Sequence, residues 1–136
     1  MDGMSTPQGF HHVEINVHDL TRTKSFYGWL MAELGYERFQ KWDKGISYKN
    51  GSAYLVFTQT EDKYNEFSFH RKHTGLNHLA FWAKSRAHVE HLRVQLKENK
   101  VPFLYDKDYP FAGGEGHYAL FFEDPDRIKI EIVAPR

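Results

Sequence analysis

Two histidines and one glutamate are the residues of this sequence best placed to do chemistry. His12 lies in Gly9-Phe10-His11-His12-Val13-Glu14-Ile15-Asn16-Val17, and His78 lies in Gly75-Leu76-Asn77-His78-Leu79-Ala80-Phe81-Trp82-Ala83. Glycine falls on glycine and histidine on histidine at one constant offset, and apolar residues match at Val13/Leu79, Ile15/Phe81 and Val17/Ala83. Glu131 sits in Ile128-Lys129-Ile130-Glu131-Ile132-Val133, where a carboxylate on an inward face needs a partner. Two neutral imidazoles and one carboxylate make a three-ligand site for a divalent ion, with positions left open for water or substrate. An ion held this way can polarise a carbonyl, acidify water, or engage dioxygen if it is iron.

Each of these residues also has a plainer reading. A lone histidine on a strand is most often a satisfied core or surface residue, and Glu131 can pair with a nearby Lys or Arg. His11 rivals His12, but parity along the strand puts it on the helix side. The other histidines (His18, His70, His73, His88, His91 and His117) fall in loops or on helices, where a solvated role is expected. It is the equivalence of His12 and His78, joined to an inward acid, that singles out metal binding. Glu14 shares a face with His12 and is the candidate general base if burial favours its protonated form. Its alternatives are a pair with Lys129 or a hydrogen bond to a ligand histidine. Phe10, Tyr54, Trp82 and Phe121 are candidates for an aromatic substrate cleft, although core filling suffices for most of them.

The elements that must position these groups follow from periodicity and turn chemistry. Both histidine segments alternate with period two, as strands do when one face packs on a helix. In each, the odd-numbered apolar residues face the helix, leaving His12 and Glu14, or His78 and Trp82, on the other side. A helix follows each strand. The first is capped by Asp19 or Thr21, carries Phe26, Leu30 and Leu34 on one stripe, and stops at Gly35. The second is capped by Ser85, carries Val89, Leu92 and Leu96, and ends before Pro102. Strands are expected over 36–42, 46–49 and 53–58 in the first half, with Asn50-Gly51 as a tight hairpin. In the second half they are expected over 101–105, 118–123 and 128–133, the last hairpin turning at Asp124-Pro125-Asp126-Arg127. The expected fold is therefore α+β: two tandem β-α-β-β-β modules, at 9–60 and 75–134, joined by a polar connector at 61–74. Residues 1–8 read as a flexible tail ahead of a single domain at 9–136.

Composition narrows the function classes. The 136 residues suit one domain, and with no cysteine there are no disulfides, thiolate zinc sites or cysteine nucleophile. Eighteen basic and 18 acidic residues cancel, so nothing points to a nucleic-acid partner. No apolar stretch approaches the roughly 20 residues that cross a bilayer, and the expected location is the cytoplasm. Aromatics at 16% and nine histidines suit a protein with a cavity.

With these residues in view, the sequence resembles the vicinal oxygen chelate superfamily: glyoxalase I, extradiol dioxygenases, fosfomycin-resistance enzymes and bleomycin-resistance binding proteins. The two histidine segments carry the resemblance, with Asp19-Leu20, Ser25-Phe26-Tyr27, and Phe122-Glu123-Asp124-Pro125-Asp126 running on to Ile130-Glu131-Ile132-Val133. It implies strands curling into an open mixed-sheet barrel around the metal, with His12, His78 and Glu131 on the ligand positions. It also implies a homodimer, in some relatives with modules exchanged between chains. The chain departs from the family in three places. Val56 stands where glyoxalase I has a fourth, carboxylate ligand. Phe121 stands where extradiol and fosfomycin enzymes commonly have a tyrosine, and Arg127 replaces the glycine of the usual Asp-Pro-Asp-Gly turn. The function expected is that of a divalent-metal-dependent enzyme (zinc, nickel, manganese, cobalt or iron) acting on a small oxygenated substrate that chelates the metal. Its chemistry would be that of a lyase, isomerase, transferase or dioxygenase. The alternative is a metal-free small-molecule binding protein of the drug-sequestering type.

Overall fold

The computed structural model describes residues 6–136, and the tail expected over 1–8 lies mostly outside the described residues. Five elements come first: β1 (His12–Val17), α1 (Leu20–Glu33), β2 (Glu37–Trp42), β3 (Gly45–Asn50) and β4 (Ala53–Gln59). Their sheet runs in the order β1-β4-β3-β2, with β1 parallel to β4 and the other pairs antiparallel. A parallel pair needs a long crossover, and α1 is part of it. The chain divides into two compact units between Glu66 and Phe67, and these elements belong to the first.

Local chemistry accounts for the boundaries. Asp19 Oδ1 accepts from Arg22 N at 3.3 Å, and Gln59 Oε1 accepts from Leu20 N at 2.9 Å. Together they satisfy two of the free N–H groups at the start of α1. Gly35, at φ +86°, takes the left-handed conformation that ends the helix. The buried stripe of α1 is Leu20, Thr23, Tyr27, Leu30 and Met31. Phe26 is only half-buried, whereas Tyr27 is fully buried with its ring 4.2 Å from that of Phe57. The stripe slants through Thr23, a small polar residue that a hydrophobic pattern passes over. On β1 the expected alternation holds: His12, Glu14 and Asn16 are exposed, Val13 and Ile15 half-buried, and Val17 buried. His11 precedes the strand, so the alternation does not reach it. It is exposed rather than turned to the helix side, and its Nδ1 lies 2.8 Å from Nδ1 of His12.

The second unit holds β5 (Leu79–Trp82), α2 (Arg86–Glu98), β6 (Ala119–Glu123) and β7 (Lys129–Val133). The sheet order is β5-β7-β6, with β5 parallel and β6 antiparallel to β7. Ser85 Oγ caps α2 by accepting from His88 N at 3.0 Å, and Val89, Leu92 and Leu96 are its buried face. The strand expected over 101–105 is absent. Phe103 alone bridges to Phe122, flanked by Leu104 N–H to Phe121 O at 3.0 Å and Glu123 N–H to Pro102 O at 2.9 Å. Pro102 has no N–H to extend the ladder, and Tyr105 at φ +56° leaves the extended region. The second unit is therefore β-α-β-β, one strand short of the expected module. The strands form two separate sheets rather than one continuous ladder. Among the described residues no helix is long and apolar enough to cross a membrane.

The loop between α2 and β6 is tied back to the helix. Glu90 accepts from the hydroxyls of Tyr109 and Tyr118, and these two hydrogen bonds hold its carboxyl below the usual range. The β6–β7 turn is built on Asp124, whose Oδ1 accepts from Asp126 N and Ile128 N, both at 2.8 Å. Arg127 adopts φ +66° there, a conformation costly for a residue with a Cβ. Arg127→Gly is accordingly expected to stabilise the fold by about 0.5–1 kcal/mol, after the greater chain entropy of glycine is subtracted. Urea unfolding of the two proteins measures it, and a destabilised variant would show that the guanidinium matters more than the backbone.

Candidate functional site

Glu131 lies mid-strand in β7, between Ile130 and Ile132, which point to the opposite side and are fully buried. Its own exposure is 6%, so its charge must be answered locally. Two imidazoles answer it: His78 Nε2 lies 2.9 Å from Oε1, and His117 Nε2 contacts Oε2. The partner is thus histidine rather than Lys or Arg. His78, just ahead of β5, has its Nδ1 2.7 Å from Asn77 Oδ1. An Nδ1–H donated to Asn77 leaves the Nε2 lone pair facing the carboxylate. Two electron-rich atoms at that separation call for a positive centre between them, a proton or a metal cation. His78 and Glu131 suit a divalent ion by donor type.

A cavity of about 360 Å³ opens beside this cluster, with His78, Tyr105, His117, Phe121, Lys129 and Glu131 in its wall. Phe121 is the register partner of Glu131 across the β6–β7 ladder and is 7% exposed. His117 enters because residue 113 is glycine: a Cβ there would lie 2.5 Å from Cδ2 of His117. Lys129 Nζ donates to the Tyr105 hydroxyl at 2.9 Å.

The first unit holds His12, Glu14, Phe10 and Tyr54, while Trp82 ends β5 in the second. His12 stacks on Tyr54, with ring centres 4.7 Å apart and planes within 5°, and the two are register partners in the β1–β4 ladder. Glu14 is exposed, so the burial that was to favour its protonated form is absent. Phe10 is 79% and Trp82 70% exposed, so neither fills a core. Of the four aromatic candidates only Phe121 lines the cavity in the second unit. Register also locates the missing acid. Glu14 pairs with Val56 in β4, and Ala80, at the corresponding place in β5, pairs with Glu131 in β7. Val56 thus holds in the first unit the position that Glu131 holds in the second, and it is 98% buried hydrocarbon with no donor.

Among the described residues no group of three His, Cys, Asp or Glu is arranged around a common point as a metal shell. The pair His78–Glu131 is in place, and His117 shares the carboxylate. Sequence reasoning passed over His117 and Tyr105. Extending the alternation of β6 back from Phe121 through Ala119 would have put His117 on the cavity face. Tyr105 carried no such signal, because a left-handed residue after a lone bridge sets its direction.

The profile of the Glyoxalase/Bleomycin resistance protein/Dioxygenase superfamily matches residues 9–132. The YqjT protein of Bacillus subtilis, itself uncharacterised, is 49% identical over 125 residues, covering 92% of this chain and 98% of that protein. Among solved structures, a Bacillus halodurans protein ascribed to the glyoxalases is 59% identical with a TM-score of 0.89, over 92% of this chain and 94% of that one. The lactoylglutathione lyase of Agrobacterium tumefaciens has a similar fold, at a TM-score of 0.64 and 19% identity over 96% of each chain.

Proposed function

The chain belongs to the Glyoxalase/Bleomycin resistance protein/Dioxygenase superfamily, and on that premise we propose that it is a divalent-metal-dependent enzyme acting on a small oxygenated substrate that chelates the ion. The observation that carries this reading is Glu131, a buried carboxylate faced by His78 and His117 at the wall of a cavity. His12, His78 and Glu131 would hold the ion, in one chain or across a dimer, and the ion when bound would supply Lewis-acid polarisation of a substrate oxygen. Asn77 orients the His78 ring, and Phe121 gives the cavity an apolar wall. Val56 offers no fourth donor, which sets the site apart from the glyoxalase I arrangement, and Phe121 offers no hydroxyl of the extradiol or fosfomycin type.

Metal analysis of the purified protein tests the proposal. Zinc, nickel, manganese or cobalt fits lyase, isomerase or transferase chemistry, and tightly held ferrous iron fits dioxygen chemistry. Failure to take up any of the five ions would overturn it. Glu14 is proposed as the general base on position alone, because it leaves β1 on the same face as His12 although it is not buried. Glu14→Gln should lower turnover by roughly 10²-fold with the ion still bound, and unchanged turnover would remove it from the mechanism.

The drug-sequestering reading draws on the exposed rings of Phe10 and Trp82. Those rings also favour a homodimer, for which light scattering should give twice the monomer mass. A protein that binds no metal but takes up flat aromatic molecules would establish the sequestering role instead.

A further inference from the structure

The cavity beside Glu131 holds an ammonium that, among the described residues, touches no carboxylate. Lys129 precedes Glu131 by two residues on β7, so both side chains leave the same face of the strand. The acid opposite Lys129 in the ladder is Glu123, but that carboxylate is already engaged. Arg71 Nη1 donates to its Oε2 at 2.6 Å, and Arg127 Nε approaches the same oxygen at 3.5 Å. Glu131 lies against its two imidazoles and not against Lys129. Among the described residues Lys129 has no ion-pair partner. What it meets is aromatic: its Nζ lies 4.7 Å from the ring centre of Tyr105 and 5.4 Å from that of Phe121.

The hydrogen-bond inventory shows what remains available. An ammonium carries three N–H donors, and the Tyr105 hydroxyl accepts one of them at 2.9 Å. Having accepted, the hydroxyl still has its own proton to donate. Two donors thus stand side by side at the cavity wall, next to the apolar face of Phe121. At about 360 Å³ the space is at the small end of ligand pockets.

We propose that Lys129 Nζ and Tyr105 Oη form an anion-binding subsite in this cavity, and that the protein's ligand carries a carboxylate or phosphate beside a compact flat body lying along Phe121. The inference takes the location of the site from the function proposed above, while the subsite itself requires no metal.

Monosubstituted benzenes that differ in charge test it: benzoate and phenyl phosphate against neutral benzamide, the isostere of benzoate, titrated into the full chain by calorimetry or amide chemical shifts. Wild type should bind at least one of the two anions about tenfold or more tighter than benzamide, the scale of a charge-assisted hydrogen bond. Which anion wins separates a carboxylate ligand from a phosphate one. Lys129→Met should shrink the advantage to about threefold or less, and Tyr105→Phe should reduce it in part. Lys129→Gln replaces the methionine variant if circular dichroism shows that the latter is unfolded. Benzamide binding as tightly as both anions, or an anion preference unchanged in the Lys129 variant, would overturn the proposal. Repeating the titrations with and without Mn²⁺ keeps the two readings apart. A Lys129-dependent preference in a protein that takes up no Mn²⁺ supports the subsite and counts against the metal-dependent function. Mn²⁺ uptake without that preference does the reverse.

Discussion

Glu131→Ala is expected to weaken binding of Zn²⁺ or Mn²⁺ by at least about 100-fold while leaving the protein folded. Loss of residues that merely support ligands costs 10- to 100-fold in affinity, and removing a ligand itself should exceed that. Glu131 is also the point on which the site in the second unit converges, since His78 and His117 both face its oxygens. The fold should survive because both imidazoles line the cavity, where water can replace the carboxylate. Calorimetry with a competing chelator gives the affinity, and circular dichroism checks the fold. Affinity equal to that of wild type would place the ion elsewhere.

Phe57→Ala should cost about 3–5 kcal/mol of folding stability. The ring is fully buried in β4, with centroids 4.2 Å from Tyr27 on α1 and 6.2 Å from Tyr48 on β3. It thus joins helix to sheet, and truncation removes its own buried area and opens a cavity that two aromatic neighbours cannot collapse to fill. Against a typical total of about 5–15 kcal/mol, such a loss dominates. Urea denaturation measures it, and hydrogen exchange should show protection falling first in residues 9–66. A loss below about 1 kcal/mol would mean that the first unit repacks freely around the gap.

Much of this architecture was readable from periodicity. The β1 alternation and the Asp19 and Ser85 caps follow from rules that act within a few residues and are present in the structure, and the β3–β4 hairpin forms too, with its two turn residues at Gly51-Ser52 rather than Asn50-Gly51. Glu131 stood out because a charge amid isoleucines is expensive unless paired, and it is paired. What stayed hidden depended on contacts between distant segments. A hydrophobic pattern read residues 101–105 as a strand, but Pro102 and the left-handed Tyr105 leave one bridge there. His117 looked like a solvated loop residue, because its partner lies 14 positions along the chain. Phe26 was expected on the buried stripe and Tyr27 holds it instead for a simpler reason: Thr23, not a hydrophobic residue, shares that face.

The bare α-carbon of Gly113 gives this site an adjusting screw outside its ligands. A methyl group added there would meet the His117 ring at 2.5 Å, and the ring, being a side chain, would swing away. Glu131 would then answer to His78 alone, with one oxygen released for whatever binds in the cavity. Whether His117 reaches the carboxylate is therefore set by the size of a residue that touches neither of its oxygens. Natural variation or design can retune the site by a single carbon at that position, with His78 and Glu131 untouched.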